Sequence, residues 1–468
     1  MQTQCKTEKV KLQGLGAREI IADFNGGDIT SDGGVVLLRE VEEAKGIIKS
    51  FSNCFKDSRD QRYVEHPLED LLAQRIYALC LGYEDVNDHD ELRNDPCFAV
   101  AVGKNEIGPG DGKYVLAGKS TLNRLELVAK TEDSTDRYHK IRYDKKAVDS
   151  FMVEMFLKSK EKAPKEIILD VDATDDLIHG AQEGKFFHGY YGCYCYLPLY
   201  IFCGDSILYA ELRKSDIDAS KGTVEALGPI VREVRQKWPE VRIIIRGDGG
   251  FCREQIMAWC EAEDVDFVFG LAKNARLKRK IEKQQEKARR KSLITGKSAR
   301  YYRDFKYQTL KTWNRKRRVV GKAEHLEKGA NPRFVVTSLK KDEINAQGLY
   351  ESLYCARGDM ENRIKEQQLA LFADRTSTAT MRGNQLRLWL SSVAYMLMEE
   401  LRRVGLKGTE YERAQCDTIR NKLLKIGGLI KISVRKIWFH FSSAYPYKGL
   451  LLKVIENLHS RYTTPLRI

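Results

Sequence analysis

Lys165-Glu-Ile-Ile-Leu-Asp-Val-Asp172 and Val241-Arg-Ile-Ile-Ile-Arg-Gly-Asp248 are the two stretches that decide how this chain folds. Each is a short apolar run rich in isoleucine and valine, the signature of a buried strand, and each ends on an aspartate. Between them lie Tyr194-Cys-Tyr-Leu-Pro-Leu-Tyr-Ile-Phe202 and Ile207-Leu-Tyr-Ala-Glu-Leu212, close enough to pair as antiparallel neighbours across Gly204-Asp205. Helices are expected from about Lys221 to Lys237 and near Arg253 to Glu263, with a fifth strand at Phe267-Val-Phe-Gly-Leu271.

Three strands, helix, strand, helix, strand is the order of an RNase H-like α/β core, a mixed sheet with helices on both faces and parallel later strands. Residues 165–274 form its first part. The fold needs a further helix soon after its fifth strand, yet the next strong helical pattern with an acidic residue begins near Tyr350. Residues 275–345 are therefore expected to be a basic, β-rich insertion, with Tyr301-Tyr-Arg-Asp-Phe-Lys-Tyr307 and Arg333-Phe-Val-Val-Thr337 as strand pieces. Beyond it, residues 346–468 hold the core-closing helices, Gly348 to about Leu371 and Asn384 to Val404, and a C-terminal helical region. Residues 1–164 read as a mostly helical N-terminal domain of their own, for binding or dimerisation, in which His66 to Cys80 carries apolar residues at helical spacing. Gly118-Lys-Ser-Thr121 imitates the end of a phosphate-binding loop, but Lys113 stands where the leading glycine belongs. No nucleotide cofactor is expected, and Ser120 reads as the N-cap of a short helix.

The fold selects the acids. Asp172 ends the first strand and Asp248 follows the fourth, its neighbour in such a sheet, so two carboxylates meet at one edge. Asp170 shares a face with Asp172 by strand alternation and is its rival. On the helix after the insertion, Tyr354, Arg357 and Glu361 are spaced by three and four and share one face. Converging carboxylates suit Mg²⁺, which prefers hard oxygen ligands, and a guanidinium and a hydroxyl beside them suit a phosphate. An ordinary surface ion pair is the competing account of Arg357 and Glu361. His179 and His188 lie close to the first acid, as a general acid, metal ligands or structural residues.

Composition narrows the partners. Of 468 residues, 42% are hydrophobic and 31% charged, with no apolar run long enough to span a membrane. The N-terminus lacks the apolar core of a secretory signal, so a cytoplasmic protein with mostly reduced cysteines is expected. The eleven cysteines show no paired knuckles of the kind that hold zinc, and Cys193 and Cys195 read as one face of a strand. A net charge of +14 favours a polyanion. It concentrates in Arg276 to Lys291, Lys311 to Lys322 and Arg402 to Lys436. Within the second run, Trp313 either stacks on a displaced base or packs in the core.

Four motifs, taken in order, carry a resemblance: Leu169-Asp-Val-Asp-Ala-Thr-Asp-Asp176, Phe186-Phe-His-Gly-Tyr-Tyr-Gly-Cys-Tyr-Cys-Tyr-Leu-Pro-Leu-Tyr-Ile-Phe-Cys-Gly204, Arg246-Gly-Asp-Gly-Gly-Phe251 and Arg357-Gly-Asp-Met-Glu-Asn-Arg-Ile-Lys-Glu366. The chain resembles the DDE transposases of bacterial insertion sequences, in the branch numbered thirteen-eighty. The resemblance implies Asp172, Asp248 and Glu361 as the catalytic triad, holding two Mg²⁺ or Mn²⁺ ions, and Tyr354 and Arg357 as phosphate-binding residues. The lysine that related groups place seven residues after the glutamate is Gln368 here, while Lys365 stands one turn after Glu361. Implied partners are the element's terminal inverted repeats and target DNA, bound by a homodimer, with no membrane. The rival readings are an RNase H-fold nuclease without strand transfer and a catalytically lost DNA-binding protein.

Overall fold

In a computed structural model of the chain, residues 9–104, 116–127 and 139–462 are described; Lys113 lies outside them. Apolar alternation builds a nine-stranded mixed sheet from β1 (Glu166–Ala173), β2 (Leu199–Cys203), β3 (Ser206–Glu211), β4 (Arg242–Gly247), β5 (Asp266–Leu271), β6 (Ala299–Tyr307), β7 (Arg317–Leu326), β8 (Arg333–Thr337) and a two-residue strand beside β7. Their order is β3-β2-β1-β4-β5-β8-β7-β6. β4 runs parallel to β1 and β5, and the other neighbours along this path are antiparallel. The first five strands follow the order and pairing expected from the sequence. The strand expected from Tyr194 is in fact two. Pro198 has no N–H for a ladder, and Cys193–Tyr196 pairs instead with Phe186–His188 and Asp176–Leu177 in a small separate sheet.

Residues 275–345 hold two helices followed by strands. Their strands continue the central sheet through β8, which pairs with β5 over Val268↔Thr337 to Leu271↔Phe334. The basic run is helical, Ala275–Lys280 and Glu282–Thr295, as its lysine, arginine, glutamate and glutamine content favours. Leu277, Ile281, Trp313, Val319 and Val336 share one apolar core with Leu169 and Val171 of β1, so no seam separates this segment from the sheet. Trp313 packs edge-on to Tyr307, 6% exposed, which decides for the core.

The N-terminal helices share a core with later ones. Leu72, Ile76 and Leu79 of Leu68–Leu81 lie in one core with Leu386, Trp389 and Leu390 of Met381–Glu400, because each helix is apolar on most of its circumference and needs a second wall. The short helix at Lys119–Glu126 begins two residues earlier than expected, with Gly118 rather than Ser120 at its N-cap. The basic runs also divide. Arg317 pairs with Glu254 and Glu261, Arg318 with Asp304, and buried Arg402 with Glu366 and Glu399. Arg276, Lys278, Arg279, Lys280, Lys283 and Lys287 face solvent. No helix among the described residues is long and apolar enough to cross a membrane.

Candidate active site

Strand register sets the site. β1 and β4 run parallel, with Asp170 opposite Arg246 and Val171 opposite Gly247, which puts Asp172 and Asp248 one step beyond on the same face. Asp170 is 3% exposed and taken up by Arg246, whose Nε and Nη2 reach its two oxygens at 2.5 and 2.7 Å. Burial outweighs that arginine and raises its pKa. Asp170 thus closes an internal ion pair beneath the site, a role the sequence left open.

Asp248 sits in the turn after β4, where the Gly250 N–H donates to its Oδ1 at 2.8 Å. A Cβ on Gly250 would come within 2.9 Å of that oxygen and push the Asp248 carboxylate aside. The Tyr354 hydroxyl lies over Gly270 of β5, where a Cβ would stand 2.5 Å from it and 2.9 Å from the Gly249 nitrogen. Tyr354 therefore forms the floor of the Asp248 turn.

The segment that carries Tyr354, Arg357 and Glu361 winds irregularly: a π-turn at Leu349–Tyr354, a tight 3₁₀ turn at Cys355–Arg357, then α-helix at Gly358–Lys365. The common face survives. Arg357 Nη1 bonds Asp172 Oδ2 at 3.0 Å while its Nη2 bonds Glu361 Oε1. One guanidinium therefore bridges the acid of β1 to the acid of the helix. Burial first, then the carboxylates of Asp248 and Glu361, push Asp172 up to about 6 against the pull of Arg357. Asp172, Glu361 and Asp248 in turn keep Arg357 firmly protonated despite its burial. Lys365 is exposed one turn beyond Glu361. Among the described residues no three carboxylate, thiol or imidazole groups converge as a ready metal cage, and Arg357 stands between two of the acids.

Gln368 occupies the position where related groups place a lysine, and it donates to the buried Asp176 Oδ1 at 2.8 Å. Burial pushes Asp176 up to about 8, and its Oδ2 has no partner. The folded chain keeps this proton up to about pH 8 whereas the unfolded chain loses it near pH ~4, so stability falls as pH rises between the two. Asp176→Asn is expected to remove that slope, gaining on the wild type by of the order of 4 kcal/mol between pH 4.5 and 8.5 in urea unfolding. Parallel pH profiles would exclude the burial account.

His188 packs against Tyr191, ring centroids 4.9 Å apart. Two participants had no signal in the sequence: Arg246 as the partner of Asp170, and the small sheet of residues 176–196 that follows Asp172. The first needs the register of two distant strands, although its two-residue offset from Asp248 mirrors that of Asp170 from Asp172.

The architecture so far is a mixed α/β sheet with acids at the ends of two adjacent parallel strands and a third acid on a covering helix. A family model described as Transposase DDE domain group 1 matches residues 12–463, and the chain belongs to that family. It is thereby a transposase by family, an enzyme class that binds and acts on DNA. No curated protein matches the chain.

Proposed function

We propose that this transposase cuts DNA at the ends of its element and joins them to target DNA by two-metal phosphoryl transfer on an RNase H-like core. The observation that carries the reading is Arg357, which gathers the acids of β1 and the helix on one guanidinium beside the acid that follows β4. The sheet order supports the RNase H-like core, and three carboxylates are a donor set that suits Mg²⁺ or Mn²⁺. Asp172, Asp248 and Glu361 would hold the ions. Bound there, the metal stabilises charge on the attacking and leaving oxygens of the phosphate.

The residues divide the remaining work. Arg357, freed from its carboxylates, binds a non-bridging phosphate oxygen, with Lys365 on the next turn for the adjoining phosphate. Tyr354 fixes the Asp248 turn from below. Asp170 and Arg246 neutralise one another, so the metal-binding charge is confined to the three outer acids. The exposed basic helices hold DNA by its backbone, and a homodimer brings two ends together.

A strand-transfer assay with Mg²⁺ and duplexes ending in the element's terminal repeats tests the reading. Cutting and joining are expected. Cutting without joining assigns a nuclease, and binding without either assigns a DNA-binding protein whose chemistry is lost.

A further inference from the structure

Beside the acids stands a feature that metal chemistry does not require. The small sheet starts at Asp176–Leu177, four residues past Asp172, and its hairpin, Phe186–His188 and Cys193–Tyr196, turns through Gly189-Tyr190-Tyr191-Gly192. The turn is tight, with the Gly192 N–H donating to the His188 carbonyl at 2.8 Å. Its surface is aromatic. Tyr190 is 87% exposed, and Phe186, Phe187 and Tyr194 are each about half exposed. A water-soluble surface seldom gathers so much unpartnered ring area without a ligand. The rings are ordered by one another: Phe187 meets Tyr194 edge-on at 5.4 Å, and Tyr190 meets Tyr191 at 5.0 Å. Lys185 lies 4.5 Å above the Tyr194 ring, adding positive charge at the hairpin's base.

Orientation ties the hairpin to the acids. Asp176 and Leu177, just past Asp172, pair with Tyr196 and Cys195 of the hairpin, and Tyr191 is half-buried against His188 while Tyr190 projects next to it. The Asp172 side chain is only 17% exposed. A recessed carboxylate is reached by a strand peeled from its complement more easily than by an intact duplex. Peeled bases expose flat faces that stack on aromatic rings irrespective of sequence.

We infer that the Tyr190 hairpin is a stacking platform for unpaired bases next to the phosphate at the acidic edge, a single-strand DNA subsite with Tyr190 as its outermost ring. The inference rests on the proposed cleavage of DNA at that edge.

Terminal-repeat duplexes carrying 2-aminopurine at each nucleotide flanking the cut, bound in Ca²⁺, read base stacking without turnover. Matched cleavage assays in Mg²⁺ read the reaction. Expected is a 2-aminopurine signal at one or two flanking positions that Tyr190→Ala and Tyr190→Leu abolish and Tyr190→Trp restores. Cleavage of paired ends should slow about tenfold in the Ala and Leu variants, the size of one stacked base, and recover on ends mismatched at those positions. Tyr190 is too exposed for its truncation to unfold the chain. Equal signals in wild type and Tyr190→Ala overturn the inference, as does a change in oligomeric state with stacking unaltered, which would make the hairpin a protein interface. Stacking without cleavage by the wild type leaves the platform standing and overturns the cleavage reading.

Discussion

Asp248→Asn is expected to lower DNA cleavage by at least ~1000-fold, a loss of about 4 kcal/mol of transition-state stabilisation, with DNA binding kept. The substitution is nearly isosteric. The Gly250 N–H that now bonds Oδ1 can bond the asparagine carbonyl in the same place, so the turn after β4 persists. What disappears is one negative charge at the end of a strand whose neighbour ends on Asp172. That charge raises Asp172, so its proton affinity should drop in the variant. Gel-shift binding and cleavage of the same end-containing duplex check both halves. Cleavage within tenfold of wild type would remove Asp248 from the metal site.

Glu126→Ala should cost about 3 to 5 kcal/mol of stability, the second largest effect, because it strands the buried Arg75 and the partly buried Arg387. Glu126 is fully buried and takes Arg75 Nε and Arg387 Nε, each at 2.7 Å. Burial alone would raise its pKa, but the two arginines win and hold the carboxyl below its ordinary range. Arg75 lies on Leu68–Leu81 and Arg387 on Met381–Glu400, so this single acid fastens helices from opposite ends of the sequence. Against a typical total of about 5 to 15 kcal/mol, the loss should be visible as a large drop in urea midpoint. Glu126→Gln should fall between, keeping hydrogen bonds without charge. A change below ~1 kcal/mol in the alanine variant would show that water reaches the guanidiniums.

Local pattern made the first five strands legible, because isoleucine-rich runs bounded by Gly and Asp leave little else for the chain to do. It also brought Asp172 and Asp248 together, since their neighbourhood follows from parallel strands. Where strands 6 to 8 belong was not legible. A β-favouring run announces a strand and not its partner, and β8 finds β5 some sixty residues earlier in the chain. The helices at 275–295 were hidden for another reason: nine or more like charges obscure the few apolar anchors, Leu277, Ile281 and Ala288, that turn inward. The spacing of Tyr354, Arg357 and Glu361 predicted a shared face on a regular helix. The face is there although the helix is not regular, since a wide turn and a tight turn in succession nearly restore the phase. Asp170 could not be separated from Asp172 by alternation alone; that took the register that sets Arg246 opposite it.

The core built from both ends of the chain has a consequence for synthesis. Cys80 donates to the carbonyl of Ala394, and Arg420 to that of Cys80, so the first helices to leave the ribosome wait more than three hundred residues for their packing partners. Contacts of that sequence separation form slowly. Asp172 and Asp248 emerge long before Arg357 and Glu361, and β8 and the covering helix must be in place before the acids are gathered. A nascent or prematurely ended chain therefore carries two of the proposed acids on an unfinished scaffold, and the edge proposed to cut DNA is not yet assembled.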